Sequence, residues 1–277
     1  MTTNDWLGAA TRQLDSAGIG TARLDALVLL EDATKKDRSY LLAHPETSLQ
    51  DPILQRLNKH VKRRMKHEPL AFIREKTEFY GREFFINHTV LEPRPESEAM
   101  IELLKELSKI APWSKVRSWK VVDVGTGSGA LAVTAKLEMP EVEVVGIDID
   151  PKCLVVALQN AERHNINVKF LQGNLLEPLN PDHYPLTAIL ANLPYVPDDY
   201  TINQAAAMEP RQAIFGGPDG LYVYRQLFDQ IKRVKLRVQL VFTEALPMQH
   251  KALAGIAKRA GFELEKSEDF IQVFTKS

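Results

Sequence analysis

The chain has 277 residues, 44% of them hydrophobic and 26% charged, with a formal net charge of -1. This is enough for about two soluble domains, and so neutral a balance gives no global pull toward nucleic acid or an acidic membrane. The single cysteine, Cys153, excludes an internal disulfide framework and a cysteine-based metal cluster; with no signal-peptide pattern at the start and no uncharged run approaching the ~20 apolar residues of a membrane helix, a cytoplasmic location and no membrane partner are expected.

The first seventy residues read as helices. Trp6, Leu7, Ala10 and Leu14 share a face at helical spacing, and Gly18 and Gly20 end that segment. A second helix follows with Leu24, Leu27, Val28 and Glu31 in register, then a short piece from Asp37 to Ala43 stopped by Pro45. Asp51-Pro52 has the form of an N-cap followed by proline in the first turn. The helix it opens runs to about Lys66 and carries Lys59, Lys62, Arg63, Arg64 and Lys66, either a solvated face or a docking patch for an acidic partner or RNA.

From Glu68 the pattern changes. Phe79, Tyr80, Phe84, Phe85 and Ile86, interrupted by Gly81, predict a hairpin. Val90-Leu91 then leads into Glu92-Pro93-Arg94-Pro95-Glu96, a linker of fixed shape because two prolines remove backbone donors and bar helix before Pro95. A helix from about Ser97 to Ile110 comes next.

Beyond it, strands and helices alternate, which is the mark of a parallel sheet. Strands are predicted at Lys120–Val124, Val142–Asp148, Val168–Leu171, Leu186–Ala191 and Val238–Glu244, with helices such as Gly129–Glu138 and Pro151–His164 between them. Phe262–Lys266 and Ile271–Thr275 are too close for a helical crossover and should pair antiparallel. The domains expected are a helical one over 1–75, a hairpin linker over 76–95 and a catalytic domain over 96–277.

Val121-Val122-Asp123-Val124-Gly125-Thr126-Gly127-Ser128-Gly129 is a strand running into a glycine-rich turn and a helix. Glycines let a ligand approach the backbone closely, and the helix start adds unpaired N–H groups. Asp148, about 20 residues on, ends the next strand where a carboxylate accepts ribose hydroxyls. This much indicates a nucleoside cofactor, with NAD still a rival. The fourth strand breaks the tie, because it ends in Asn192-Leu193-Pro194-Tyr195. An amide nitrogen is a poor nucleophile. The Asn192 side-chain oxygen and the Leu193 carbonyl can each accept one N–H of a target amide, turning its lone pair toward a methyl donor. Tyr195 can cover the flat face of the substrate, Pro194 stiffens the loop, and rate then comes mainly from orientation. Asn174 and Leu175, after the third strand, are candidates for hydrogen-bonding and packing on an adenine. The long stretch Val196–Gly220 reads as a substrate-facing segment. The seven histidines show no metal-ligand spacing, and no metal is expected.

The chain resembles the HemK/PrmC protein glutamine methyltransferases over nearly its full length. The resemblance is carried by Glu68-Pro69-Leu70-Ala71, Phe79-Tyr80-Gly81, Val90 through Glu98, Asp123 through Gly129, Asp148, the tetrapeptide from Asn192, Glu209-Pro210 and Gly216 through Leu221. It implies an α/β fold: a seven-stranded, Rossmann-like S-adenosylmethionine-dependent methyltransferase domain preceded by a small all-helical domain and a β-hairpin. It implies S-adenosylmethionine as cofactor and S-adenosylhomocysteine as product, held by Asp123, Gly125, Thr126, Gly127, Ser128, Gly129, Asp148, Asn174, Leu175 and Asn192. The implied substrate is the glutamine of the Gly-Gly-Gln loop of a peptide chain release factor, held by Asn192, Leu193, Pro194 and Tyr195, with the helical domain docking the partner. Leu193 stands where the family usually has proline, and the carbonyl survives that change. Asn174 stands for a frequent Asp, Ser97 for Thr, and the C-terminal strand pair lacks the usual arginine. Alternatives are glutamine methylation of a large-subunit ribosomal protein, methylation of the adenine exocyclic amine, and a cofactor-binding module without catalysis. A monomer with no direct nucleic-acid substrate is expected.

Overall fold

The structure is a computed structural model that describes residues 1–110, 112–115, 119–180, 186–233 and 237–277. It falls into two compact units, one of residues 1–76 with 202–208, the other of residues 77–201 with 209–277.

The first unit contains α1 (Thr3–Ser16), α2 (Ala22–Thr34), α3 (Arg38–Ala43), α4 (Asp51–Arg64) and α5 (Leu70–Arg74). Thr2 caps α1 by accepting from the Asp5 N–H, while the Asp5 carboxylate accepts from the Thr2 N–H, a reciprocal arrangement that satisfies two otherwise orphaned donors. Trp6, Leu7, Ala10 and Leu14 are buried as predicted. Leu24 is not: it is 47% exposed, and α2 instead buries Ala22, Ala26, Leu27, Leu29, Leu30 and Ala33. The N-cap of α4 is Gln50, with Asp51 already helical and Pro52 in the first turn. The short helix α5 was not foreseen. The basic cluster on α4 divides. Arg64 turns inward to Asp25 at 2.6 Å and Arg63 pairs with Glu68, whereas Lys59, Lys62 and Lys66 stay exposed.

The second unit begins with the hairpin of β1 (Lys76–Phe79) and β2 (Arg82–Phe85). Tyr80 and Gly81 both have positive φ at its turn, which matches the right-handed twist of the paired strands. Phe79 and Phe84 are buried in the core against the large sheet, so the hairpin is an integral layer of this unit rather than only a linker. After a 3₁₀ turn at Pro95–Ser97 come α6 (Glu98–Lys109), β3 (Lys120–Val124), α7 (Ala130–Glu138), β4 (Glu143–Asp148), α8 (Pro151–Arg163), β5 (Lys169–Gln172) and β6 (Leu186–Ala191). They are followed by α9 (Arg211–Ile214), α10 (Tyr222–Arg233), β7 (Val238–Glu244), α11 (His250–Arg259), β8 (Phe262–Glu268) and β9 (Ile271–Lys276).

The sheet has seven strands in the order β5-β4-β3-β6-β7-β9-β8. All neighbours pair in parallel except β9, which runs antiparallel to β7 and to β8. The strands of its centre, such as β6 with every residue buried, read as unbroken apolar runs because both faces are covered. One core lies under α10 and α11, the other under α6, α7 and the hairpin. The strand order reverses between β3 and β6, and an open parallel sheet binds ligands at such a switch point, beyond the carboxyl ends of the strands. Among the described residues, no helix is long and apolar enough to cross a membrane.

Candidate active site

A cavity of about 350 Å³ opens at that switch point. Its floor is the turn after β3. Gly125 and Gly127 have φ of 72° and 53°, a backbone conformation that strains any side chain but exposes N–H groups to a ligand. The Gly127 N–H is held 2.9 Å from Oδ2 of Asp148, and the Asp150 N–H lies 2.9 Å from Oδ1. The Asp148 carboxylate itself lines the cavity. Burial raises the Asp148 pKa, offset in part by these two N–H groups. Asp123 lies beneath the turn and accepts from the Thr126 hydroxyl at 2.6 Å and the Ala132 N–H at 3.1 Å. Complete burial pushes its pKa up to about 7; the two donors oppose the shift and the Asp148 charge adds to it.

Of the expected cofactor residues, Asp123, Gly125, Thr126, Gly127, Ser128, Asp148, Asn174, Leu175 and Asn192 all line this cavity. Gly129 does not. A Cβ there would sit 3.0 Å from that of Ala157, so the glycine lets α7 pack closely on α8. Asn160 of α8 ties the same turn to the hairpin: its amide nitrogen donates to the carbonyls of Ser128 and Phe85, and its oxygen accepts from the Phe85 N–H.

The tetrapeptide sits across the switch point at the end of β6. Asn192, Leu193 and Pro194 line the cavity, and Tyr195 does not. The Asn192 amide nitrogen donates to the Ser97 hydroxyl at 2.8 Å, and Ser97 donates to Oε2 of Glu244 at 2.6 Å. The Tyr195 hydroxyl donates to the other oxygen of Glu244 at 3.0 Å, and its ring packs against the core. Leu193 is buried, its side chain reaching under the glycine turn; a Cβ on Gly125 would be 3.0 Å from Leu193 Cδ2. Burial raises the pKa of Glu244, while the donors Ser97, Tyr195 and Asn192 oppose the shift.

The segment Val196–Gly220, expected to face a substrate, packs in part against the tetrapeptide. Val196 and Phe215 form a bridge, and the Gln249 side chain donates both to the Tyr195 carbonyl at 2.7 Å and to the Asp219 carbonyl at 2.8 Å. A Cβ at Gly220 would sit 2.0 Å from the Tyr195 carbonyl oxygen. The Gly216–Gly220 turn is therefore a buttress pressed against the backbone of the tetrapeptide, while Pro210, Gln212 and Ala213 of the same segment reach the cavity.

Comparisons with known proteins bear on this geometry. The PrmC N-terminal domain family matches residues 5–74, and a methyltransferase domain family matches residues 115–212. The release factor glutamine methyltransferase of Koribacter versatilis is 37% identical over 83% of this chain and 81% of its own. The enzyme of the same description from Bacillus subtilis is 40% identical over 78% and 76%. The chain belongs to this family. It is an S-adenosylmethionine-dependent methyltransferase, with the Rossmann-like sheet that such enzymes share. Among solved structures, the hMettl16 catalytic domain in complex with a MAT2A 3′UTR hairpin matches with a TM-score of 0.54 at 13% identity, over 87% of this chain and 92% of that one; this likeness is one of fold alone.

The residues of the methyltransferase site fit its cofactor. The open glycine turn leaves room for a chain passing close to the backbone, and the Asp148 carboxylate, which would accept from ribose hydroxyls, lines the same cavity. Leu175 and Ile149 supply apolar wall to the cavity. Several lining residues were not among the expected site residues: Leu91, Glu92 and Pro93, read from the sequence as a linker, Thr89 before them, and Val223 and Gln226 on α10. Nor were Ser97 and Glu244, the partners of the tetrapeptide. Both carried a signal in the sequence, Ser97 within the Val90–Glu98 run of the resemblance and Glu244 as a carboxylate closing the apolar strand Val238–Glu244. Among the described residues no group of His, Cys, Asp and Glu is arranged to hold a metal ion.

Proposed function

We propose that the chain transfers a methyl group from S-adenosylmethionine to the side-chain amide nitrogen of the glutamine in the Gly-Gly-Gln motif of a peptide chain release factor. The observation that carries the reading is Asn192. Its amide nitrogen is committed to Ser97, so its oxygen is the end left for a substrate. That oxygen and the Leu193 backbone carbonyl receive the two N–H groups of the glutamine amide and aim its nitrogen lone pair along the cavity. S-adenosylmethionine supplies an electrophilic methyl group on a sulfonium. No strong base is needed, because the methylated nitrogen sheds its proton readily. The PrmC N-terminal domain match supports docking of the release factor by residues 1–75, and the chain works as a cytoplasmic monomer. The cavity-lining members of the expected cofactor set, Asp123, Gly125, Thr126, Gly127, Ser128, Asp148, Asn174 and Leu175, hold the nucleoside and amino-acid parts of the donor.

The test is incubation with labelled cofactor and purified release factor, ribosomal proteins and DNA in parallel, followed by mapping of the labelled residue. Label on the glutamine of Gly-Gly-Gln is expected; label only on a ribosomal protein or DNA would overturn the reading. Asn192→Ala should lower turnover by about 100-fold or more while leaving cofactor affinity within about twofold, the pattern of a group that orients the reacting atom. A Gly-Gly-Glu release factor should go unmethylated, because its carboxylate brings no donor to two waiting acceptors.

A further inference from the structure

Ser97, at the end of the 3₁₀ turn, and Glu244, at the tip of β7, are buried and form with the half-buried Asn192 a chain of three polar groups on three separate elements. We propose that Ser97 and Glu244 are positioning residues that set which end of the Asn192 carboxamide faces the cavity. The inference rests on the functional reading above and concerns the same site.

The two ends of an asparagine amide have nearly the same shape and opposite hydrogen-bonding character. A site that must accept two N–H groups fails if the amide turns over and offers its own NH2. Packing cannot distinguish the two orientations; only the polarity of the neighbours can. A serine hydroxyl does not settle it alone, because it both donates and accepts. Here its single hydrogen is committed. The Ser97 hydroxyl donates to Oε2 of Glu244 at 2.6 Å. Ser97 is then left as an acceptor toward Asn192, so the nitrogen of Asn192 must face it and the oxygen faces the substrate. The other carboxylate oxygen is occupied by the Tyr195 hydroxyl, so that Glu244 accepts on both sides. Ser97 is 2% exposed and Glu244 1%, so little water is available to substitute for either partner, and an unmet polar group there is costly.

The test compares wild type with Ser97→Ala, Ser97→Thr, Glu244→Gln and the double variant Ser97→Ala/Glu244→Gln on the full chain and intact release factor. Glu244→Gln keeps the shape but introduces a donor, so the Ser97 hydrogen loses its fixed direction. Ser97→Ala and Glu244→Gln should each lower kcat/KM by about ten- to 100-fold, with cofactor affinity within about twofold as the check that the site is folded. Ser97→Thr, which restores the hydroxyl, should recover most of the loss. The double variant should fall no further than the worse single one, as expected for residues acting through one relay. Wild-type protein that labels no glutamine in the release factor would overturn the functional reading and the relay with it. Wild-type transfer with both single variants within about twofold of it, or losses that multiply in the double variant, would overturn the relay alone.

Discussion

Buried carboxylates are the residues on which this site spends stability. Complete burial pushes the Asp123 carboxyl up to about 7, well above the ordinary carboxylate range near 4. A carboxyl whose pKa is raised by folding contributes stability that is complete below its unfolded pKa and lost as the pH rises through the folded one. In the ligand-free protein, stability should therefore decline from about pH 4 to pH 7 on account of this group. Asp123→Asn keeps an oxygen for Thr126 and Ala132 and has no charge to bury. Its stability relative to wild type should grow across that range, toward a few kcal/mol at ~1.4 kcal/mol per pH unit. Thermal melts of both proteins from pH 5 to pH 8 check this; a difference that is constant with pH would contradict the assignment to Asp123. The cysteine nearby is inert by the same physics: burial first, and the charges of Asp148 and Asp150 second, push the Cys153 thiol up to about 12, so its thiolate is scarce at neutral pH.

At the scale of elements, the ends of β3, β4, β6 and β7 build the site, and the turns that press on them hold it in place. The parallel register of β6 with β7 sets Ala191 beside Thr243, which brings the residues that follow, Asn192 and Glu244, side by side. Tyr224 of α10 locks these ends together, donating its hydroxyl hydrogen toward the carbonyls of Ala191 and Glu244 and accepting from the N–H groups of Leu193 and Glu244. The Gly216–Gly220 turn buttresses the far side. Gly220 has φ of 74°, and its missing Cβ is what allows contact with the Tyr195 carbonyl. Gly220→Ala should displace the tetrapeptide and cost about 1–3 kcal/mol of stability. It should also lower kcat/KM by about tenfold or more while the cofactor cradle on the other side of the switch point keeps its affinity. Calorimetry together with cofactor titration separates the two effects, and unchanged turnover would show that the turn carries no strain into the site.

Over the whole molecule, each of the two units has a core of its own, and each can be perturbed separately. In the helical unit the ion pair of Arg64 with Asp25 is nearly excluded from solvent, with side chains 13% and 6% exposed. Removing one partner strands the other charge, so Asp25→Ala should cost about 3–5 kcal/mol, whereas replacing both by apolar residues of similar volume should restore much of the loss. Urea titration followed by fluorescence in a Trp113→Phe/Trp119→Phe background, which leaves only Trp6 in that core, reads the effect locally. If Asp25→Ala shifted the midpoint no more than an exposed substitution, the pair would be a surface contact in solution.

Local pattern determined much of this protein. Strand runs such as Val121–Val124 and Leu186–Ala191 are apolar over their whole length because a doubly covered parallel strand has no wet face, so they could be placed to within a residue or two. The glycine turn, Asp148 and Asn192 were legible because each stands at a strand end, where the fold class puts ligands. The true face of α2 was not, because Leu24 and Leu27 satisfy helical spacing equally well and only tertiary neighbours decide which one is buried. Nor was the structural part played by Gly216–Gly220, whose sequence suits a free turn as well as a buttress. Ser97, Asn192 and Glu244 are far apart in the chain and meet only because strand order and register bring their elements together. Sequence alone therefore marked most of the groups that line the candidate site, since that depends on residue type at an element's end. Tertiary structure decided which way those groups point, since the orientation of a symmetric-shaped amide is set by the polarity of neighbours contributed by distant segments.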